Sequence, residues 1–112
     1  MKIEKMKTTD QLIPAYATHP GSILLDEIVA NGYSQIDFAK LIDINRSQLN
    51  EIIKGKRGIH ANLALALEKT LKIDANYWLE AQKNYELDMA RLEAKNIQLL
   101  NKIEMKLMKN EL

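Results

Sequence analysis

The chain has 112 residues, no cysteine, and 16 basic against 15 acidic side chains. That length fits one compact domain with some tail to spare; the absence of thiols excludes a disulfide framework and a thiolate metal site. The near balance of charge gives no overall pull towards nucleic acid or membrane, so the placement of charge is what matters. Residues 34–58 hold five basic and three acidic side chains, the one basic surplus along the chain.

Residues 1–18 are polar, contain Pro14 and are predicted to form an extended N-terminal arm. Lys2, Glu4, Lys5 and Lys7 precede no long apolar run, and no segment approaches the ~20 apolar residues needed to span a bilayer. A soluble cytoplasmic protein without a membrane partner is the expectation.

Apolar residues then recur at helical spacing, with no alternating strand-length clusters, so the chain reads as all-α. A first helix is predicted to start near Pro20, to bury Leu24, Leu25, Ile28 and Val29, and to stop at Asn31 and Gly32. Ser34 caps a second helix, with Asp37 at the capping-box position and Tyr33 placed to staple onto Phe38. Asn45 repeats that grammar for a third, with Gln48 in the box and Ile44 against Leu49. A fourth helix, from about Ala61 to Lys72, buries Leu63, Ala64, Leu67 and Leu71. Asp74 caps a fifth, which carries Trp78, Leu79 and Tyr85 and meets no stop signal before the C-terminus.

The start signals at Ser34 and Asn45 are eleven residues apart, leaving a short helix and a tight turn around Asp43. On the helix that follows, Leu49, Ile52 and Ile53 fall on one side; Ser47, Asn50, Glu51 and Lys54 fall on the other, flanked by Arg46 and Gln48. A short helix, a turn and a second helix beginning with hydrogen-bonding side chains is the helix-turn-helix plan for the DNA major groove. Arg46 suits guanine, Gln48 or Asn50 suits adenine, and Ser47 suits either. Gln35, at the first turn of the second helix, and the cations Lys54, Lys56 and Arg57 are placed for phosphates. Glu51 either accepts from a cytosine amino group or turns aside to pair with Lys54. The competing reading of the pattern is a core helical hairpin with a solvated polar face.

From His19 to Arg91, 73 residues, the sequence resembles the HigA/VapI family of antitoxins within the Xre-type helix-turn-helix group. The stretches HPGSIL, SQIDFAKLIDINRSQLNEIIKGKRGI, LALALEKTLKI and ANYWLEAQKNYEL carry the resemblance. It implies a five-helix, lambda-repressor-like domain over residues 19–91, with an extended C-terminal helix over 92–112. It also implies a homodimer that binds operator DNA to repress its own operon, and that neutralises a HigB-type toxin, a RelE-like ribonuclease cutting mRNA. Gln35, Arg46, Ser47, Gln48 and Asn50 match DNA-facing positions of the family; Lys54, Lys56 and Arg57 match its phosphate-contacting loop. Asp43 stands where the family often has glycine, and His60 and Ala61 replace the usual Ser/Thr and Pro at the fourth helix start. Two alternatives stay open: a toxin-binding module that no longer binds DNA, and a stand-alone phage-type repressor.

Trp78 and Tyr85 share a face, for core or dimer packing or for toxin contact. Met89, Leu92, Leu100, Ile103 and Leu107 continue an apolar stripe, with Asn96 in its gap, which a second helix should cover. Catalysis has no support: the histidines are 41 positions apart, and there is no HExxH site, glycine-rich phosphate loop or nucleophile elbow. No enzyme, cofactor or metal is expected, and His19 is read as ordering the first helix start.

Overall fold

The computed structural model describes residues 16–109, which form six helices and no strand. They fall into two units, Thr18–Tyr85 and a C-terminal unit beginning at Glu86. The arm expected over residues 1–18 lies outside the described residues up to residue 15.

The first unit holds α1 (Pro20–Ala30), α2 (Gln35–Leu41), α3 (Arg46–Ile53), α4 (Ala61–Leu71) and the first part of α5 (Ala75–Leu92). Every helix start that the sequence marks with a polar cap is found there. Ser34 Oγ accepts from the Asp37 N–H at 3.0 Å, and Asn45 Oδ1 accepts from the Gln48 N–H at 2.8 Å. Only the second cap is a complete box, with Gln48 Oε1 accepting from the Asn45 N–H at 3.3 Å; Asp37, a methylene shorter than Glu, leaves the first half-made. His60 makes no side-chain cap, as its departure from Ser/Thr implies.

The first three helices end in the same way. At Gly32 (φ 81°), Asp43 (φ 60°) and Gly55 (φ 80°) the backbone turns left-handed. The following N–H, from Tyr33, Ile44 or Lys56, bonds back to the carbonyl of Ile28, Ala39 or Glu51. These are Schellman closures, which satisfy carbonyls that a helix end otherwise leaves bare. Asp43 performs a glycine's task, and Lys72 (φ 61°) ends α4 with a second non-glycine in that region.

The core consists of Leu24 and Ile28 from α1, Phe38 and Ala39 from α2, Leu49 and Ile52 from α3, Ile59, Leu63, Ala64, Leu67 and Leu71 around α4, and Trp78 from α5. Burying each large side chain contributes about 1.5–3 kcal/mol. The Tyr33 ring meets Phe38 edge-on with centroids 5.4 Å apart, which is the expected staple. Val29 departs from expectation: it is 64% exposed, because at 3.6 residues per turn it lies about 140° around from Leu24. Leu25 is half-buried.

In the C-terminal unit, the helix expected to run unbroken is interrupted at Glu93, whose extended backbone (φ −69°, ψ 127°) separates α5 from α6 (Ala94–Met108). Asn96 explains the break: its Nδ2 donates to the Ala90 carbonyl at 2.9 Å and to Glu93 Oε1 at 3.1 Å, capping the end of α5 by a side chain. The apolar stripe is thereby cut, with Met89 and Leu92 on α5 and Leu100, Ile103 and Leu107 exposed on α6.

Candidate nucleic-acid interface

Of the side chains that the sequence marks on the α2–turn–α3 segment, the structure brings Arg46, Ser47 and Asn50 together, while Gln48 lines a separate depression with Arg57 and His60. Leu49 and Ile52 hold α3 to the core. Arg46 and Ser47 are exposed and Asn50 is half-buried, and the three line one shallow depression. A capped, anchored helix presents such groups from a fixed backbone, which a readout of donor and acceptor patterns on base edges requires. Gln48 starts from the same turn, but its Oε1 is engaged in the capping box, leaving the amide nitrogen of its carboxamide to serve as donor. Gln35 is the half-buried first residue of α2.

Gly55 closes α3, and the chain continues through exposed Lys56 and Arg57. Both of their N–H groups donate to the Glu51 carbonyl, at 2.8 and 3.3 Å. The Arg57 guanidinium also pairs with the Glu51 carboxylate. Glu51 therefore turns aside to Arg57 and not to Lys54, and Arg57 is not the free cation that the charge run implied. That hydrogen bond and then the Arg57 charge hold the Glu51 carboxyl below its ordinary range; desolvation opposes them, and the Lys56 charge adds a smaller pull downwards. Lys54 and Lys56 remain exposed.

Support comes from behind. His19 caps α1, its Nδ1 accepting the Gly21 N–H at 2.9 Å. Gly21 in turn allows α1 to press onto the end of α3: a Cβ there would lie 2.1 Å from the Ile52 carbonyl oxygen. The imidazole also lies where a Cβ on Gly55 would meet it, at 3.4 Å, and meets the Tyr85 ring edge-on at 4.6 Å. Burial pulls its pKa down from the ordinary 6.5, opposed by a backbone hydrogen bond with Arg57. Gln82 Oε1 accepts the Ile59 N–H at 2.9 Å. Gln82 was missed by sequence reasoning, and no local signal marks a contact across 23 positions. Trp78 is wholly buried, so it is core, and its Nε1 has no hydrogen-bond partner among the described residues.

Comparison with known proteins agrees with this geometry. A helix-turn-helix family model matches residues 26–78. Virulence-associated protein I of Dichelobacter nodosus is 38% identical over 85 residues, covering 75% of this chain and 79% of that protein. An addiction module antidote protein of the HigA family from Coxiella burnetii is 30% identical, with a TM-score of 0.63 over 84% of this chain and 94% of its own. The Pseudomonas aeruginosa antitoxin HigA, solved with the higBA promoter, is 29% identical, with a TM-score of 0.67 over 75% of this chain and 90% of its own. The fold and its outward helix thus define an Xre-type helix-turn-helix protein. Within that class, the chain belongs to the HigA/VapI family.

No helix among the described residues is long and apolar enough to cross a membrane, and no group of acidic, histidine or cysteine side chains there has the makings of a metal site.

Proposed function

We propose that this protein is an antitoxin that binds operator DNA as a homodimer, represses its own operon, and neutralises a RelE-like mRNA-cleaving toxin of the HigB type. The observation that carries the DNA half is the outward face of α3, where Arg46, Ser47 and Asn50 stand together on a boxed and core-anchored helix. Arg46, Ser47, Gln48 and Asn50 are assigned to base edges, and Gln35, Lys54 and Lys56 to phosphates. Arg57 reaches phosphate only by exchanging Glu51 for it. The relative solved with promoter DNA supports the DNA-binding reading as a whole.

A dimer would set two recognition helices ~34 Å apart, one turn of the duplex. Counting Lys54 and Lys56 on each protomer gives four phosphate-contacting cations, and a log-log salt slope of about −4; with Arg57 free it would be about −5. The test is a titration of the protein against its own upstream region and a scrambled duplex at two salt concentrations, with and without Arg46→Ala. Specific binding that falls by roughly 1–3 kcal/mol in the variant supports base reading. Equal affinity for the two duplexes would overturn it.

The toxin half is supported by the antidote descriptions of the neighbours and by α6, which exposes Leu99, Leu100, Ile103 and Leu107. Such a face suits a protein partner. Co-expression with the adjacent open reading frame tests it: relief of growth arrest and co-purification support a toxin, whereas arrest that the chain does not relieve rejects it. The module without DNA binding loses its main argument, since the Glu51 charge is paired with Arg57 and is not an isolated repulsive group.

A further inference from the structure

The Lys54–Gly58 loop carries the proposed phosphate-contacting cations, yet none of its own side chains enters the core. Backbone bonds to the Glu51 carbonyl fix its first half. Something else has to fix where the rest lies.

We infer that His19 and Gln82 are positioning residues for DNA binding, holding the two ends of this loop from α1 and from α5; the inference rests on the DNA-binding reading above. His19 Cγ lies 3.4 Å from where a Cβ on Gly55 would be, so the imidazole flanks the left-handed residue that turns the chain out of α3. Its Nδ1 is occupied by the Gly21 N–H, its other nitrogen remains for the Arg57 backbone, and Tyr85 closes the remaining side. At the far end the Gln82 carboxamide lies 3.0–3.3 Å from the Cβ position of Gly58 and binds the Ile59 N–H at 2.9 Å. Ile59 is itself 2% exposed, so the loop re-enters the core at a fixed point. The lysines are thus carried on a backbone flanked by His19 at Gly55 and bonded by Gln82 at Ile59, which makes the phosphate contacts preorganised.

The competing account makes His19 only a helix cap and Gln82 only the acceptor for one half-buried amide. Two substitutions in the full chain separate the accounts. His19→Asn retains a good N-cap acceptor for Gly21 but is too short to reach Arg57. Gln82→Met keeps the length and removes the acceptor. Each is measured by thermal melting and by operator titration across salt, at a temperature where circular dichroism shows the variant folded.

The expected result is a melting midpoint near the parent's for His19→Asn, with operator affinity reduced about tenfold in both variants. The salt slope should shallow by up to ~4, the share of two lysines on each of two protomers. Arg46→Ala, in contrast, should shed preference between duplexes while keeping most of the slope. Parent-like affinity and slope in both variants would overturn the inference and leave the DNA reading standing. Failure of the parent itself to prefer its operator would overturn both.

Discussion

Replacing Gly21 by alanine should destabilise the protein, although alanine is the better helix former. Two opposing terms decide the sign. Alanine over glycine in a helix is worth roughly 0.5–1 kcal/mol, and less so close to the N-terminus. Against it, the new methyl would lie 2.1 Å from the Ile52 carbonyl oxygen and 2.8 Å from that of Ile53, where real contacts stay above 3.0 Å. Both obstacles are backbone and neither can swing away. The start of α1 must therefore retreat by about 0.9 Å, the difference between 3.0 and 2.1 Å, and pull at the seat of Leu24 in the core. Overpacking of this kind costs about 1–3 kcal/mol, occasionally more, so a net loss of about 1–2 kcal/mol is expected. In a domain of this size that lowers the melting midpoint by roughly 4–8 °C per kcal/mol. Urea denaturation followed by Trp78 fluorescence measures it, since Trp78 is the one tryptophan and is fully buried. A midpoint equal to the parent's, or higher, would show that α1 and α3 do not approach so closely.

Asp43→Gly should gain up to about 1 kcal/mol by relieving a left-handed residue (φ 60°), partly offset by glycine's freedom in the unfolded chain; thermal melting reads it, and a loss would mean that the Asp43 side chain contributes to the turn. Trp78→Ala should cost about 3–5 kcal/mol, whereas Trp78→Phe should cost far less, because it removes a buried donor that has no partner among the described residues; equal losses in chemical denaturation would place a partner on that indole. Glu51→Gln should tighten binding to any duplex and steepen the salt slope by about 2, because Arg57 is released on both protomers; an unchanged slope would mean that Arg57 already reaches phosphate. The His19 imidazole, held below its ordinary value of 6.5 by burial, faces the Gly21 N–H on α1, Arg57 on the loop and the Tyr85 ring on α5. Its contribution to stability is complete above pH 6.5 and erodes as pH falls through its folded value. His19→Asn should flatten that acid limb of the melting profile, and an identical limb in the variant would assign it elsewhere.

What the sequence made legible was local. Helix starts at Ser34 and Asn45 and stops at Gly32 and Gly55 depend on residues within a turn of one another, so spacing reveals them. The same holds for the outward face of α3, which follows from where Leu49 and Ile52 fall. Asp43 too was legible, since a carboxylate residue is among the few that tolerate the left-handed turn. Three things were not. The Glu51–Arg57 pair spans six positions and crosses a helix end, so the three- and four-residue rule points to Lys54 instead. The Gln82–Ile59 bond joins positions that only the tertiary fold brings together. The break at Glu93 lacks glycine or proline because the Asn96 side chain supplies the cap. Partners were hidden where they are distant, and breaks where a side chain replaces the backbone device.

The pairing of Glu51 with Arg57 also bears on how a chain of nearly balanced charge could discriminate between duplexes. Phosphate attraction is the same for every sequence, and each cation offered to it raises specific and non-specific binding together. On the proposed reading, base contacts by Arg46 and its neighbours would raise only the first. An acidic group that occupies one loop cation therefore subtracts from the sequence-independent term while leaving the reading residues alone. Glu51 is suited to this because its carboxyl is held ionised by the cation it engages, so the pair persists as pH falls towards the carboxylate range. The pair is exposed and contributes little to folding. If the chain represses from an operator as proposed, the consequence of the pair would lie in the ratio of operator to bulk DNA affinity, on which a repressor with one site among many competitors depends.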